Sequence, residues 1–169
     1  MNKTQLEIGY RKPTPSDAGG VYELIRASNT LDLNSAYCYF VLCDYFRETC
    51  VLAKEGQNLV GFLSAFRSPR RPDTLFVWQV AVADSHRKQG IGKGMLAYLL
   101  AGTTAPPVTY LEATISRSNL ASTRLFTGVA KQHAAPVEIA SGYPSGMFPS
   151  GVAHEDEPLY RIGPFIHQL

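Results

Sequence analysis

Val80-Ala81-Val82, Ala83-Asp84-Ser85-His86 and Arg87-Lys88-Gln89-Gly90-Ile91-Gly92 form one continuous stretch, and its reading decides the fold. The apolar run ending at Val82 reads as a strand. The apolar-periodic segment from about Lys93 to Leu100 reads as a helix, with the glycines between the two. Glycine lets backbone approach a ligand closely, while a helix start offers unpaired N–H groups and the positive end of its dipole. Strand, glycine loop and helix start in that order predict a pyrophosphate site, the alternative being a surface helix cap with convenient glycines. Two other phosphate loops are excluded: no Gly-Lys-Ser/Thr occurs, and Gly90, Gly92 and Gly94 give GxGxG where a dinucleotide fingerprint needs GxGxxG.

Working outward, Thr14-Pro15-Ser16-Asp17 places a cap, a proline at the first helical position and an acid three residues after the cap. A helix follows on Val21, Leu24, Ile25 and Ser28, ending near Asn29. A second is expected to start at Asn34 or Ser35, turning Tyr37, Phe40, Val41 and Tyr45 inward. Three strands come next: Thr49 to Glu55, Leu59 to Phe66 after the Gly56-Gln57-Asn58 turn, and Thr74 to Ala83. Ser68-Pro69-Arg70-Arg71-Pro72-Asp73 reads as a surface loop. Beyond the glycine loop, Val108 to Ile115 reads as a strand and Asn119 to His133 as a helix. Val137 to Ser141 and Leu159 to Ile162 read as late strands, and Glu7 to Tyr10 as an early one. The prediction is an α/β domain, a central mixed sheet with helices on both faces.

The 169 residues, 45% hydrophobic and 18% charged, suit one domain spanning 1–169. Lys+Arg 16 against Asp+Glu 14 leaves a net charge of +2, without the broad basic field of a nucleic-acid or polybasic membrane contact. Small molecules or protein are the expected partners. The longest apolar stretch, Leu75 to Ala83, is interrupted by Gln79 and is far short of the roughly 20 residues of a spanning helix. Met1 to Thr14 is polar, without a signal-peptide core, which reads as a cytoplasmic chain. Cys38, Cys43 and Cys50 lack CxxC spacing and read as small core residues; His154-Glu155-Asp156-Glu157 is not HExxH, so no metal is expected.

The glycine loop resembles the acyl-CoA loop of the GCN5-related N-acetyltransferases, [QR]-x-x-G-x-[GA] after a hydrophobic strand. Arg87, Gly90 and Gly92 fit that pattern in place. The resemblance implies that the backbone of Arg87, Lys88, Gln89, Gly90, Ile91, Gly92 and Lys93 holds the CoA pyrophosphate. Val80, Ala81 and Val82 would pair with the pantetheine arm, on a mostly antiparallel sheet splayed between the two strands that hold acyl-CoA. Asn119-Leu120-Ala121-Ser122 matches the segment flanking that arm. One departure stands out: many members carry a tyrosine seven residues after this asparagine, proposed to protonate the departing thiolate, and this chain has Phe126. Another group, a water or nothing at all would then take that role.

Longer blocks from Leu31 to Phe165 resemble the L-2,4-diaminobutyrate acetyltransferases of ectoine biosynthesis. They are Leu31-Asp32-Leu33-Asn34-Ser35-x-Tyr37, Phe76-Val77-Trp78-Gln79-Val80-Ala81-Val82, Glu112-Ala113-Thr114-Ile115, Asn119-Leu120-Ala121-Ser122, His154-Glu155-Asp156-Glu157 and Arg161-Ile162-Gly163-Pro164-Phe165. This implies acetyl transfer from acetyl-CoA to the 4-amino group of L-2,4-diaminobutyrate by a cytoplasmic, homodimeric enzyme of an osmotic-stress pathway. A relative acting on another small diamine or amino acid, or a non-catalytic acyl-CoA-binding module, are the alternatives.

Diaminobutyrate has two ammonium groups and one carboxylate, so a specific pocket needs acids at the ammonium ends. Asp32 and Glu157 are such acids, and Tyr37, Trp78, Thr114 and His154 are the other candidate substrate contacts. Period-2 alternation puts Trp78 on one face with Val80 and Val82, and Thr114 with Tyr110 and Glu112. Trp78 also suits plain core packing, Asp32 a helix-flanking acid near Asn34-Ser35, and the His154 to Glu157 cluster a solvated turn. Glu112, in an apolar strand, suits a brace of the sheet as well as a catalytic acid. An alkyl ammonium near pKa 10.4 must lose a proton before attack, and Glu157 or Asp32, directly or through water, is the candidate acceptor with His154 as relay or binding group. The backbone of the Val80 strand is expected to stabilise the oxyanion.

Overall fold

The computed structural model describes residues 7–28, 31–102, 106–151 and 153–165. They fall into two compact units, Met1–Phe66 with Gln79–Thr104, and Arg67–Trp78 with Ala105–Leu169. Strand order is β1-β2-β3-β4-β5-β7-β6, with β4 and β5 parallel and the other described pairings antiparallel.

In the first unit, β1 (Ile8–Arg11) pairs with β2 (Val51–Glu55), and β2 with β3 (Asn58–Ser68). Residues 60–65 of β3 are all buried, because helices cover both faces. α1 (Ala18–Ser28) and α2 (Ala36–Asp44) bury Val21, Ile25, Tyr39, Leu42 and Cys43 in a cluster with Leu52, Phe62 and Ala81. Against the other face lies α3 (Ile91–Gly102). Gly61 permits this approach, since a Cβ there would sit 3.2 Å from both Ile91 and Met95. Thr14 and Asp17 form the predicted capping box, on a 3-10 turn at Pro15–Asp17 that leads into α1.

The face of α2 corrects the sequence reading. Tyr37, Phe40 and Tyr45 are exposed, while Tyr39, Leu42 and Cys43 point to the core. Ala36, Tyr37, Tyr39, Phe40, Val41 and Leu42 surround the helix with apolar groups, so periodicity singles out no face. The expected end of the first helix at Asn29 lies outside the described residues, and α1 runs to Ser28.

In the second unit, the supposed loop at residues 68–73 is a hairpin: β3 runs to Ser68 and β4 (Arg71–Val82) resumes at Arg71. Arg67 donates hydrogen bonds to the carbonyls of Pro72 and Pro106, which holds the hairpin base. β4 pairs with β5 (Tyr110–Thr114) over Thr74–Phe76. β5 pairs with β7 (Glu157–Ile162) and β7 with β6 (Val137–Tyr143). α4 (Leu120–Gln132) buries Phe126, Val129 and Ala130. Gly142, at φ +59°, sits where the β6–β7 register shifts; a Cβ there would collide with the carbonyl of Glu157 at 2.0 Å. Among the described residues no helix is long and apolar enough to cross a membrane, and no cluster of three or more His, Cys, Asp or Glu could hold a metal.

Candidate active site

The glycine loop of the first unit has the backbone that its sequence calls for. Lys88 at φ 62° and Gly90 at φ 80° are both left-handed, and Lys88 accepts there a conformation that side chains disfavour. The turn delivers the chain into α3, where Gly94 N–H closes the first helical bond on Gly90 O at 2.9 Å. Arg87, Lys88, Gln89, Gly90 and Lys93 are exposed, Gly92 is half-buried, and a Cβ on Gly90 would meet nothing within 4 Å. Arg87 pairs with Asp84 at 2.7 Å, and Gln89 Nε2 donates to Ser85 O at 3.2 Å. Open space over glycine, a 12-residue helix start and three cationic side chains suit a pyrophosphate. Ile91 is buried and anchors the helix start, so it offers the ligand backbone alone.

On β4, Val80 and Val82 are half-buried while Ala81 turns into the α1–α2 cluster. The same strand buries Gln79, whose Nε2 donates to the carbonyl of Asp32 at 2.8 Å. Asp32 is exposed in the segment before α2, and Tyr37 on the first turn of α2 is 76% exposed. Ser35 caps that helix, its side chain accepting from Cys38 N–H. Cys43 and Cys50 are buried, and burial pushes their thiols up to about 11 and about 12, which leaves them inert.

In the second unit, Trp78 is 45% exposed, which removes the plain core-packing reading for it. Glu112 is 3% exposed and accepts hydrogen bonds from Arg71, at 3.0 Å, and from Arg161; the Arg161 guanidinium lies 3.7 Å over the ring of Tyr110. This is the brace of the two readings. Thr114 ends β5, half-buried and opposite Leu159.

The acids before β7 divide by role. Glu155 accepts from Ser118 N at 3.1 Å, and Asp156 from Ser145 N at 2.8 Å. The hydroxyl and amide of Ser118 hold the Glu155 carboxyl below its usual range, as the amide and hydroxyl of Ser145 do for Asp156. Glu157 is half-buried at the start of β7. His154 stacks on Phe148 with ring centroids 3.7 Å apart, its Nδ1 2.9 Å from the carbonyl of Glu155. A carbonyl only accepts, so Nδ1 carries the proton in that contact. Asn119 caps α4 by accepting from Ser122 N at 3.0 Å, and Phe126 is a core residue. Arg71, Arg161 and Phe148 escaped sequence reasoning, since strand register and ring stacking join residues with no local pattern; the interruption of an apolar strand by Gln79 was a visible signal.

This loop, this strand order and this helix start define an acyl-CoA-dependent N-acyltransferase fold. Residues 20–128 match the model of the acetyltransferase (GNAT) family. The chain is 45% identical over 158 residues, 94% of its length and 91% of the relative's, to the L-2,4-diaminobutyric acid acetyltransferase of Marinococcus halophilus. It is 40% identical to that of Vibrio cholerae, covering 96% of this chain and 93% of the relative. It also resembles the solved diaminobutyrate acetyltransferase EctA of Paenibacillus lautus in complex with its substrate L-2,4-diaminobutyric acid and coenzyme A. That likeness has 52% identity and a TM-score of 0.92, covering 97% of this chain and 99% of that one. The chain belongs to the L-2,4-diaminobutyric acid acetyltransferases of the GNAT family.

Proposed function

We infer that this chain transfers acetyl from acetyl-CoA to the 4-amino group of L-2,4-diaminobutyrate, giving N4-acetyl-L-2,4-diaminobutyrate and CoA on the route to ectoine. The observation that carries this is the 52% identity, over 97% of the chain, to an enzyme whose structure holds that substrate and coenzyme A. The ammonium gives one proton to a base. The nitrogen lone pair then attacks the thioester carbon, the C–S bond breaks, the new amide loses its second proton and the thiolate takes one up. No covalent enzyme intermediate is needed.

For the acyl donor we assign the backbone of residues 87–93, with strand residues 80–82 along the pantetheine arm and Asn119 and Phe126 on α4. Support comes from the left-handed turn at Lys88 and Gly90 and the exposed cations around it. For the amine we assign Asp32, Tyr37, Trp78, Thr114, His154 and Glu157. Glu157 or Asp32 is the proton acceptor, and Glu155 and Asp156 of the same cluster accept from the amides of Ser118 and Ser145. The whole chain is taken as one domain, which the passage of β3 and β4 through both units supports. A two-copy assembly, a cytoplasmic setting and a role in osmotic stress rest on the family resemblance.

Purified protein with acetyl-CoA and a panel of amines, followed by release of free thiol, tests the reading. Fastest turnover is expected with diaminobutyrate. Faster turnover with ornithine, lysine or a polyamine would replace the substrate, and binding of acetyl-CoA without turnover on any amine would remove the enzyme reading.

A further inference from the structure

Gln79 is 5% exposed, on the same face of β4 as Leu75, Val77 and Ala81. Those three neighbours are apolar and buried, and a leucine or methionine would bury beside them without leaving a polar atom dry. Gln79 does leave one: among the described residues its Oε1 is buried without a hydrogen-bond partner. A buried, unsatisfied carbonyl oxygen is destabilising, and natural chains keep such groups where they serve something other than stability. The other end of the same amide shows what it serves. Nε2 donates to the carbonyl of Asp32 at 2.8 Å, 47 residues away in sequence.

Two further bonds make this an organised anchor. The backbone N–H of Gln79 donates to Ser64 Oγ at 3.2 Å, and Ser64 is fully buried on β3, which fixes the strand beneath the amide. On the other side, Asn34 N–H donates to the hydroxyl of buried Tyr39 at 3.3 Å. The segment bearing Asp32 is thus held at Asp32 by the sheet and at Asn34 by α2, just before Ser35 caps that helix.

We propose that Gln79 is a positioning residue for the acceptor amine: its Nε2 fixes the backbone of Asp32, and with it the carboxylate that meets an ammonium group of the diamino acid. This rests on the assignment of Asp32 to the amine made above.

The test compares the full chain with Gln79→Met, with Gln79→Leu as a second variant of different shape, and with Asp32→Asn. Thermal melting, amide hydrogen exchange of the peptide covering residues 31–36, and KM for each substrate are measured on all four. For Gln79→Met the melting temperature is expected to hold or rise, exchange over 31–36 to quicken, and KM for diaminobutyrate to climb roughly tenfold, the factor that one lost hydrogen bond supplies. KM for acetyl-CoA is expected to stay within about twofold. A lower melting temperature with unchanged exchange and KM in both Gln79 variants overturns the proposal and makes Gln79 a packing residue. Faster exchange with an unchanged KM also overturns it, and Asp32→Asn then separates the causes. If that variant raises KM, the site assignment stands and only the anchor fails; if it leaves KM alone, the assignment of Asp32 has failed first.

Discussion

Removing the carboxylate of Glu112 should unfold this protein sooner and leave its chemistry alone. The side chain is 4% exposed and answers two cations, Arg161 at 20% exposure and Arg71 at 50%. Breaking a fully buried ion pair from one side costs roughly 3–5 kcal/mol, because the other charge is left dry. Here the cost is smaller. Arg71 is half in water already, and Glu138 lies opposite Arg161 on β6, on the same face as Glu112, as an alternative partner. The loss for Glu112→Ala is then roughly 2–3 kcal/mol, which for a chain of this length lowers Tm by roughly 4–12 °C. Glu112→Gln keeps an acceptor and should lose about half as much. Melting followed by circular dichroism gives the stability, and kcat measured well below both transitions gives the chemistry. A double-mutant cycle with Arg161→Met should return a coupling of roughly 1–3 kcal/mol. An unchanged Tm together with a kcat reduced a hundredfold in the cold would refute the brace and make Glu112 part of the reaction.

Four further outcomes follow from the same geometry. Glu157→Gln should reduce kcat by roughly two orders of magnitude or more while calorimetry finds acetyl-CoA binding intact, and wild-type turnover at Glu157→Gln would clear Glu157 of the proton-acceptor role. Gly90→Ala forces a side chain to φ +80°, at a cost of roughly 1–2 kcal/mol; because its Cβ has open space, the defect should appear as a raised KM for acetyl-CoA with that for diaminobutyrate unchanged. Asp17 is held at about 2, below its ordinary 3.8, chiefly by Arg11, so its contribution is whole above that ordinary value and fades as pH falls through about 2. Solvent at the half-exposed Arg11 limits it to roughly 1 kcal/mol, and acid titration of Asp17→Asn should be flatter over that window. An aromatic disulfide reagent should titrate no more than Cys38 in the native protein at pH 7.5–8, about one thiol per chain, because Cys43 and Cys50 are buried with raised thiols.

What could be read in the sequence was what is encoded locally. Thr14 to Asp17 carries a complete helix-start signal, and the capping box forms there; Asn119 does cap α4, and His133 does end it. The strand, glycine loop and helix of residues 80–102 are contiguous, so the loop between them was legible from its neighbours alone, while the left-handed φ of Gly90 is seen only in the structure. Two misreadings have clear causes. Pro69 and Pro72 with three charged neighbours resemble a loop, yet the tight turn keeps both strands in the sheet, with Arg67 bonded to Pro72 O. The apolar circumference of α2 hid which side faces the core. The residues assigned to the amine come from four stretches of the chain, and no period or spacing joins Asp32 to Trp78 or His154. Only the resemblance of long blocks gathered them, and the partners of Glu112 needed the β5–β7 register, in which it sits opposite Arg161.

The departure at Phe126 takes on a physical meaning in the same light. Phe126 is 2% exposed and lies with Val129 and Ala130 among the buried residues of α4. A tyrosine on that buried face would need a partner for its hydroxyl, since a buried hydroxyl without one is destabilising by roughly 1–3 kcal/mol. Phenylalanine avoids that cost. The proposed chemistry can do without the phenol, because an alkyl thiol ionises near pH 8–9 and its thiolate is a stable leaving group close to neutrality. The harder proton is the one on the ammonium, which ionises near pKa 10.4 and must be gone before the nitrogen can attack. The buried amide of Gln79 holds the backbone of Asp32, and Glu155 and Asp156 accept from serine amides; on the assignment proposed above, Asp32 or Glu157 takes that first proton.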